Sequence, residues 1–276
     1  MSTYSGVTET AQKYYNSKDA DEFYYNIWGG EDIHVGIYNS DEEPISNASR
    51  RTVERMMDKV APLSPDQSVV DLGAGYGGAA RQIANRFGCN VTCVNLSEVQ
   101  NERNRKRNQE VGLADKITVI DGSFDSVPGP DGSFDVVWSE DALLHASDRR
   151  AVVQEAYRVL KPGGSFVFTD PMQTSDCPPG VLQPVYDRIH LDSLASFEYY
   201  TNVAKEIGFT KVEIEDLSQQ LTRHYTRVKE ELLRRYHEVI ELSSQEYVDR
   251  MVQGLQYWIT AGEKGYLAWG IIQLVK

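Results

Sequence analysis

Between residues 68 and 170 the chain alternates short apolar runs with longer stretches of helical period. The runs are SVVD (68–71), NVTCVN (90–95), KITVID (116–121), FDVVWS (134–139) and SFVFTD (165–170), each closing on a polar residue. Runs this short and this rich in Val, Ile and Phe predict buried strands. The segments between them predict helices: AARQIANRF from residue 79, a very polar stretch over 97–112, and 148–160. Strands alternating with helices predict an α/β fold on a parallel, doubly wound sheet with helices on both faces.

Outside this region the rhythm changes. Residues 8–25 predict an amphipathic helix interrupted by polar positions, and 46–61 a second helix that Pro62 and Pro65 end. After Pro171, residues 174–180 read as loop and helical sequence resumes over 181–207. A sixth strand follows at 211–217, a long helical stretch at 218–262, and a largely buried seventh strand at 266–275. We expect a helical lid from residues 1–45 and a main domain over 46–276, with lid insertions near 174–200 and 218–262. The lid should lie over the carboxyl ends of the strands, where α/β sheets bind ligands.

Composition narrows the partners. The chain has 276 residues, enough for one large domain or one domain with a cap, and 41% of them are hydrophobic. No apolar stretch approaches the ~20 residues of a membrane span, and the first residues show no targeting character. A formal charge of −13 argues against nucleic acid and against stable association with an anionic membrane. Cys89, Cys93 and Cys177 complete no metal set and read as packing residues, which suits a reducing cytoplasm. A monomer or a homodimer is expected.

The first run passes into LGAGYGG. Gly73, Gly75, Gly77 and Gly78 allow a tight turn and close backbone approach to a ligand, and the helix from residue 79 should point its amino terminus at that ligand. Taken alone the segment is ambiguous. Gly73, Gly75 and Gly78 also satisfy the dinucleotide pattern G-x-G-x-x-G, and a glycine-rich loop can be only a turn.

Four segments in order remove the ambiguity: VVDLGAGYGG (69–78), CVNLS (93–97), FDVVWSEDALLH (134–145) and VLKPGGSFVFTD (159–170). With them the chain resembles the class I S-adenosylmethionine-dependent methyltransferases. The resemblance implies a Rossmann-like, seven-stranded, mostly parallel sheet, with S-adenosylmethionine as methyl donor and S-adenosylhomocysteine as its product. It places Asp71, Gly73 and Gly75 at the methionine moiety, and Asn95, Leu96 and Gln100 at the ribose. Asp121, Gly122, Ser123 and Phe124 fall at the adenine, and Ser139 near the sulfonium. Asparagine at 95 departs from the usual acid, yet it can accept one hydroxyl and donate to another.

The segment AQKYYNSKDADEFYYNIWGGEDIHVGIY (11–38), with SEDALLH, resembles small-molecule amine and lipid methyltransferases. QQLTRHYTRVKEEL (219–232) is most similar to the sarcosine/dimethylglycine N-methyltransferases of glycine betaine synthesis. That resemblance implies a small amine as substrate. His145 would take its proton or close the site by a hydrogen bond to Tyr15 or, less favoured, Tyr24. A quaternary ammonium product suits aromatic faces, with Tyr24, Tyr25, Trp28, Trp138 and Tyr186 as candidates. The carboxylate calls for a cation or polar donors, with Arg188, Arg223, Arg227 and Gln173 available. Phosphoethanolamine-type enzymes, and small lipid or quinol methyltransferases, are the alternatives. A phospho-base would draw on several cations from Lys205, Arg223, His224 and Arg227, whereas one arginine in a short closed pocket fits dimethylglycine.

Overall fold

The computed structural model describes residues 6–189 and 191–276, so the first five residues of the expected lid lie outside it. The strands are β1 (Ser68–Leu72), β2 (Asn90–Asn95), β3 (Ile117–Asp121), β4 (Phe134–Glu140), β5 (Leu160–Thr169), β6 (Met172–Gln173), β7 (Lys211–Asp216), β8 (Leu267–Ala268) and β9 (Gly270–Val275). The helices are α1 (Gly6–Tyr15), α2 (Lys18–Phe23), α3 (Ile45–Val60), α4 (Gly78–Phe87), α5 (Glu98–Glu110), α6 (Arg149–Val159), α7 (Gln183–Ile189), α8 (Phe197–Ile207), α9 (Ser218–Arg234), α10 (Tyr236–Leu242) and α11 (Gln245–Glu263). A π-helical turn, Tyr24–Trp28, follows α2, and a single 3₁₀ turn spans Leu143–His145.

Seven strands form one sheet in the order β3-β2-β1-β4-β5-β9-β7, and β6 pairs separately with β8. Strands β1 to β5 run parallel, while β9 is antiparallel to both β5 and β7. Because β1 sits between β2 and β4, the chain reverses its direction of travel there, and a crevice opens at the carboxyl ends of these strands. One face is covered by α3 and α4 over Val69, Val91, Trp138 and Val167; the other by α6 and α8 over Val70, Val137, Phe166 and Phe168.

Several predicted boundaries move, each for a local reason. The strand expected from 165 begins at Leu160, because Leu160 already pairs with Phe134; KPGG then bulges out, with Gly163 at φ +78°, before the ladder resumes at Val136 and Ser165. The last strand breaks at Trp269, whose N–H donates to Ser218 Oγ and whose carbonyl accepts from Leu217 N–H. The stretch 218–262 is three helices, and Ser244 Oγ caps α11 by accepting from Tyr247 N–H. The helix expected over 8–25 is divided at Ser17, which caps α2, and then widens into the π turn.

The helices outside the sheet domain share a core of their own. Tyr24, Ile27 and Trp28 of the π turn pack with Leu221, Tyr225 and Val228 of α9 and Leu255, Trp258 and Ile259 of α11. The Tyr225 and Trp258 rings stack at 4.7 Å with planes 1° apart. Polar clasps fasten this layer to the sheet domain. Glu31 receives Arg81 at 2.8 Å and Arg107 at 2.6 Å, and Asp21 pairs with Arg103. The polar helix α5 supplies much of this surface, burying Asn101, Asn104 and Asn108. Arg81 donates to Asn104 Oδ1 and Asn108 Oδ1, and Asn108 Nδ2 donates to Asn104 Oδ1, so these buried carbonyls are joined in one network.

Candidate active site

The crevice at β1 and β4 holds a cleft of about 620 Å³ lined by Tyr15, Ile33, Gly73, Gly75, Asn95, Leu96, Ser97, Gln100, Gly122, Phe124, Glu140, Asp141, Ala142 and His145. The glycine turn forms its floor. Gly73 has φ +80° and its N–H donates to Val94 O, while a Cβ at this position would fall 2.4 Å from Ala142 Cβ. Only glycine meets both conditions.

At one end Asn95 uses its amide hydrogens on Gln100 Oε1 (3.1 Å) and Asn101 Oδ1 (3.2 Å). Gln100 Nε2 is left buried without a partner. An unfilled donor beside the Asn95 carboxamide fits a ligand bearing hydroxyls, and Phe124 with Gly122 gives a flat apolar wall beyond it. At the other end stand carboxylates. Burial pushes Glu140 up to about 7, Asp32 adding to the rise and His34 opposing it; burial also raises Asp141 and, further, Asp71. His34 Nε2 lies 3.3 Å from Glu140 Oε1. Burial would lower this histidine, but Glu140, Asp32 and Asp141 outweigh it and raise it. A cationic group placed here would relieve the crowding of negative charge. Hydroxyl-seeking amides at one end and anionic groups at the other fit S-adenosylmethionine.

Asp141 is also a structural tie. It holds φ +49°, uncommon for a residue with a side chain. Its carboxylate accepts from Val35 N–H at 2.7 Å and Trp269 Nε1 at 2.8 Å, joining the lid, β4 and the last strand at one point.

Above the cleft, Tyr15 Oη lies 2.9 Å from His145 Nε2. The 3₁₀ turn after β4 presents the imidazole, and α1 brings the phenol. Burial lowers His145 to about 4, with Arg149 acting in the same direction, so the ring is neutral near pH 7. Ser97 Oγ reaches Asn16 Oδ1 at 2.8 Å and Gln12 Nε2 donates to Leu96 O at 3.2 Å, which fixes α1 further.

Beside this pair is a closely packed aromatic chamber, outside the lining of the cleft. The Tyr15 and Tyr24 rings lie 5.5 Å apart, and Tyr24 and Trp28 5.3 Å apart. Arg188 of α7 extends among them, its Cζ 5.8 Å from the Trp28 ring and 5.6 Å from the Tyr225 ring. Burial opposes its charge, but the phenols of Tyr24, Tyr225, Tyr14 and Tyr247 outweigh that effect and raise it. Among the described residues Arg188 has no carboxylate partner, and its Nε is a buried donor left unfilled, as is Trp28 Nε1. A charged guanidinium with an unfilled Nε, near an indole whose Nε1 is also unfilled, is a setting that favours an anion.

The structure thus brings Tyr15, His145, Gly73, Gly75, Asn95, Leu96, Gln100, Gly122 and Phe124 to the cleft, and Tyr24, Trp28 and Arg188 to the chamber. Other expected residues stand elsewhere. Ser139 is fully buried and donates to Leu72 O at 2.7 Å, so its hydroxyl serves the sheet; its neighbours Glu140 and Asp141 line the cleft instead. The Asp121 carboxylate is exposed and held by Asn101 and Arg105 at 2.7 Å each, and Ser123 Oγ donates to Asp125. Asp71 is buried behind the glycine turn. Arg223 pairs with Asp41 at 2.5 Å and Arg227 with Glu230 at 2.5 Å, both away from the chamber. Gln173 and Tyr186 bond to each other at 2.7 Å. Trp138 is in the sheet core, and Tyr25 is exposed beneath Arg103. The amino end of α4 meets the lid rather than the cleft: a Cβ at Gly78 would fall 1.9 Å from Asp32 Oδ1.

Sequence reasoning missed Glu140, Asp141, Ile33, Tyr14, Tyr225, Tyr247 and Met251. SEDALLH held a signal for the first two, since its acids directly follow a strand. The others arrive from distant helices and carry no local sign.

Comparison with known proteins places these features in a family context. A family profile described as a methyltransferase domain matches residues 70–168. The chain is 55% identical over 276 residues, covering all of both chains, to a sarcosine/dimethylglycine N-methyltransferase of Aphanothece halophytica. It is 54% identical to one of Halorhodospira halochloris, over 97% of this chain and 96% of that one. A solved structure from Galdieria sulphuraria, assigned as a sarcosine dimethylglycine methyltransferase, superposes with a TM-score of 0.90 at 42% identity, over 95% of this chain and 98% of that one.

Proposed function

This chain belongs to the sarcosine/dimethylglycine N-methyltransferase family, and we propose that it moves methyl groups from S-adenosylmethionine to the nitrogen of sarcosine and of dimethylglycine, giving glycine betaine. The observation that carries the substrate is Arg188, a single guanidinium without a carboxylate partner among the described residues, set in a ring of Tyr24, Trp28 and Tyr225. A short amino acid with an anionic end and a cationic or basic end matches that pairing. The phospho-base alternative draws on several converging cations. Arg223 and Arg227 are ion-paired, His224 is bonded to Tyr38 and to Gly36 N–H, and Lys205 is exposed on α8.

Bound S-adenosylmethionine supplies a methyl group already activated by its sulfonium charge. The protein's task is therefore alignment, exclusion of water and removal of the amine's proton. Gly73, Gly75, Asn95, Gln100, Glu140 and Asp141 would hold the donor. Arg188 and Trp28 Nε1 anchor the carboxylate, and the aromatic faces orient the nitrogen. The Tyr15–His145 contact closes the chamber. His145 at about 4 is a weak base, which favours closing and orienting over storage of a proton. Tyr14 Oη lies 3.4 Å from both Tyr24 Oη and Tyr247 Oη, and Tyr14 and Tyr247 line an outer groove. These hydroxyls give the amine's proton a polar route to solvent.

We place the enzyme in the cytoplasm, in keeping with three free cysteines of which two are buried. Among the described residues no helix is long and apolar enough to cross a membrane. The test is methyl transfer from labelled S-adenosylmethionine to glycine, sarcosine, dimethylglycine and phosphoethanolamine. Label should appear in betaine from dimethylglycine; label in phosphoethanolamine alone would overturn the substrate.

A further inference from the structure

We propose that Gly254 is a positioning residue for substrate selection: having no side chain, it lets Arg188 lie across α11 and so sets the point at which a substrate carboxylate is held. The inference rests on the assignment of that carboxylate to Arg188.

Gly254 falls in the interior of α11 and is buried. Glycine there weakens a helix relative to alanine, because the unfolded chain has more freedom to lose. Its backbone offers no excuse, since it is absent from the positive-φ glycines among the described residues. The demand is steric and comes from one neighbour. A Cβ at 254 would fall 2.5 Å from Arg188 Cδ, 2.7 Å from Cγ and 3.0 Å from Nε. These are atoms along the stem of the side chain, so the glycine makes room for the course of the whole arginine. One turn earlier Arg188 Nη2 lies 3.9 Å from Met251 Sδ, which marks the same track along α11.

Beyond this passage the guanidinium reaches Trp28 and Tyr225, with Nε enclosed and unfilled. A methyl group at 254 would lever the stem off the helix and move its charged end within the chamber. An α-amino acid holds its carboxylate one carbon from its nitrogen. The depth of the guanidinium therefore decides whether the nitrogen of such a substrate reaches the transfer position. Gly254 touches neither substrate nor donor, and its effect passes wholly through Arg188.

The test is a double-mutant cycle of Gly254→Ala and Arg188→Met, read by steady-state kinetics and thermal melting. Gly254→Ala should raise KM for dimethylglycine about tenfold, as loss of a charge-assisted contact implies. KM for S-adenosylmethionine should stay within about twofold and Tm should hold or rise, since alanine is the better helix former. In the Arg188→Met background the same change should add nothing. An unchanged KM in Gly254→Ala, or an equal rise in both backgrounds, would overturn the proposal. Should Gly254→Ala alone not fold while Gly254→Ala combined with Arg188→Ala, which removes the clashing Cγ and Cδ, does fold, the steric conflict with Arg188 is supported directly; if neither folds, the glycine serves the helix and the proposal fails. Arg188→Met with an unaltered KM for dimethylglycine would instead remove the carboxylate assignment itself.

Discussion

The phenol of Tyr15 and the imidazole of His145 meet at 2.9 Å across 130 residues of chain, one carried by the lid and the other by the turn after β4. Tyr15→Phe and His145→Ala each remove this bond between the two elements. Either should lower kcat/KM for dimethylglycine by about tenfold, near the upper range for one hydrogen bond. S-adenosylhomocysteine affinity, measured by calorimetry, should remain near wild type. The double variant should be little worse than either single one, and additive losses would show that the two residues act separately.

Gln100 and Asp121 separate donor contact from scaffold. Gln100 presents an unfilled amide to the cleft, whereas the Asp121 carboxylate is spent on Asn101 and Arg105. Gln100→Ala should weaken S-adenosylhomocysteine binding about tenfold, and Asp121→Ala should weaken it less than about threefold. The reverse order in a titration would restore Asp121 to the adenine site.

Arg188 and Arg223 form a matched control. Arg223→Met removes an ion pair with Asp41, whose side chain is 84% exposed, and should leave KM for dimethylglycine unaltered. Arg188→Met should raise that KM by about ten- to a hundredfold, the range for a hydrogen bond to a charged group.

Acid should loosen the closed form through His145. Its folded value of about 4 lies below the ordinary 6.5, so the unfolded chain binds more protons between those limits and stability falls as pH drops from 6.5 toward 4. His224, lowered to about 3 by burial and by His34, adds in the same direction. Glu140, raised to about 7, acts oppositely: its contribution is present below 4.5 and is lost as pH rises through 7. Melting curves of wild type and His145→Gln isolate one group. The variant should lose less stability between pH 6.5 and 4, the difference being on the order of 3 kcal/mol. Equal losses would mean that His145 titrates normally.

The sheet was legible because its signal is local. Apolar runs that end at a glycine turn mark a strand before a ligand site, and LKPGG before SFVFTD marks a further one. Tyr15 and His145 were legible as candidates for the same reason, each lying in a recognisable segment, whereas Arg188 was one of three available arginines that no local pattern distinguished. Ser139 was misplaced because side chains along a strand alternate between faces, and the neighbouring residue is the one that reaches the cleft. The buried face of α5 was illegible because it is built from asparagines, which read as solvated until Arg81 and Asp121 are seen bonded to them. The walls supplied by Tyr225, Tyr247 and Met251 depend on how α9 and α11 pack against the π turn, a contact that no segment encodes by itself.

Tyr14 and Tyr15 are adjacent on α1, yet Tyr15 lines the donor cleft while Tyr14 lines the outer groove beside Arg188. One short helix therefore serves as the door to two rooms. A displacement of α1 that freed the spent donor would also open the groove beside Arg188. Converting sarcosine to betaine takes two donors, so such a displacement would expose the half-finished dimethylglycine to solvent between them. The enzyme should work distributively: with excess sarcosine, free dimethylglycine should build up before betaine appears, and an added pool of labelled dimethylglycine should mix fully with it.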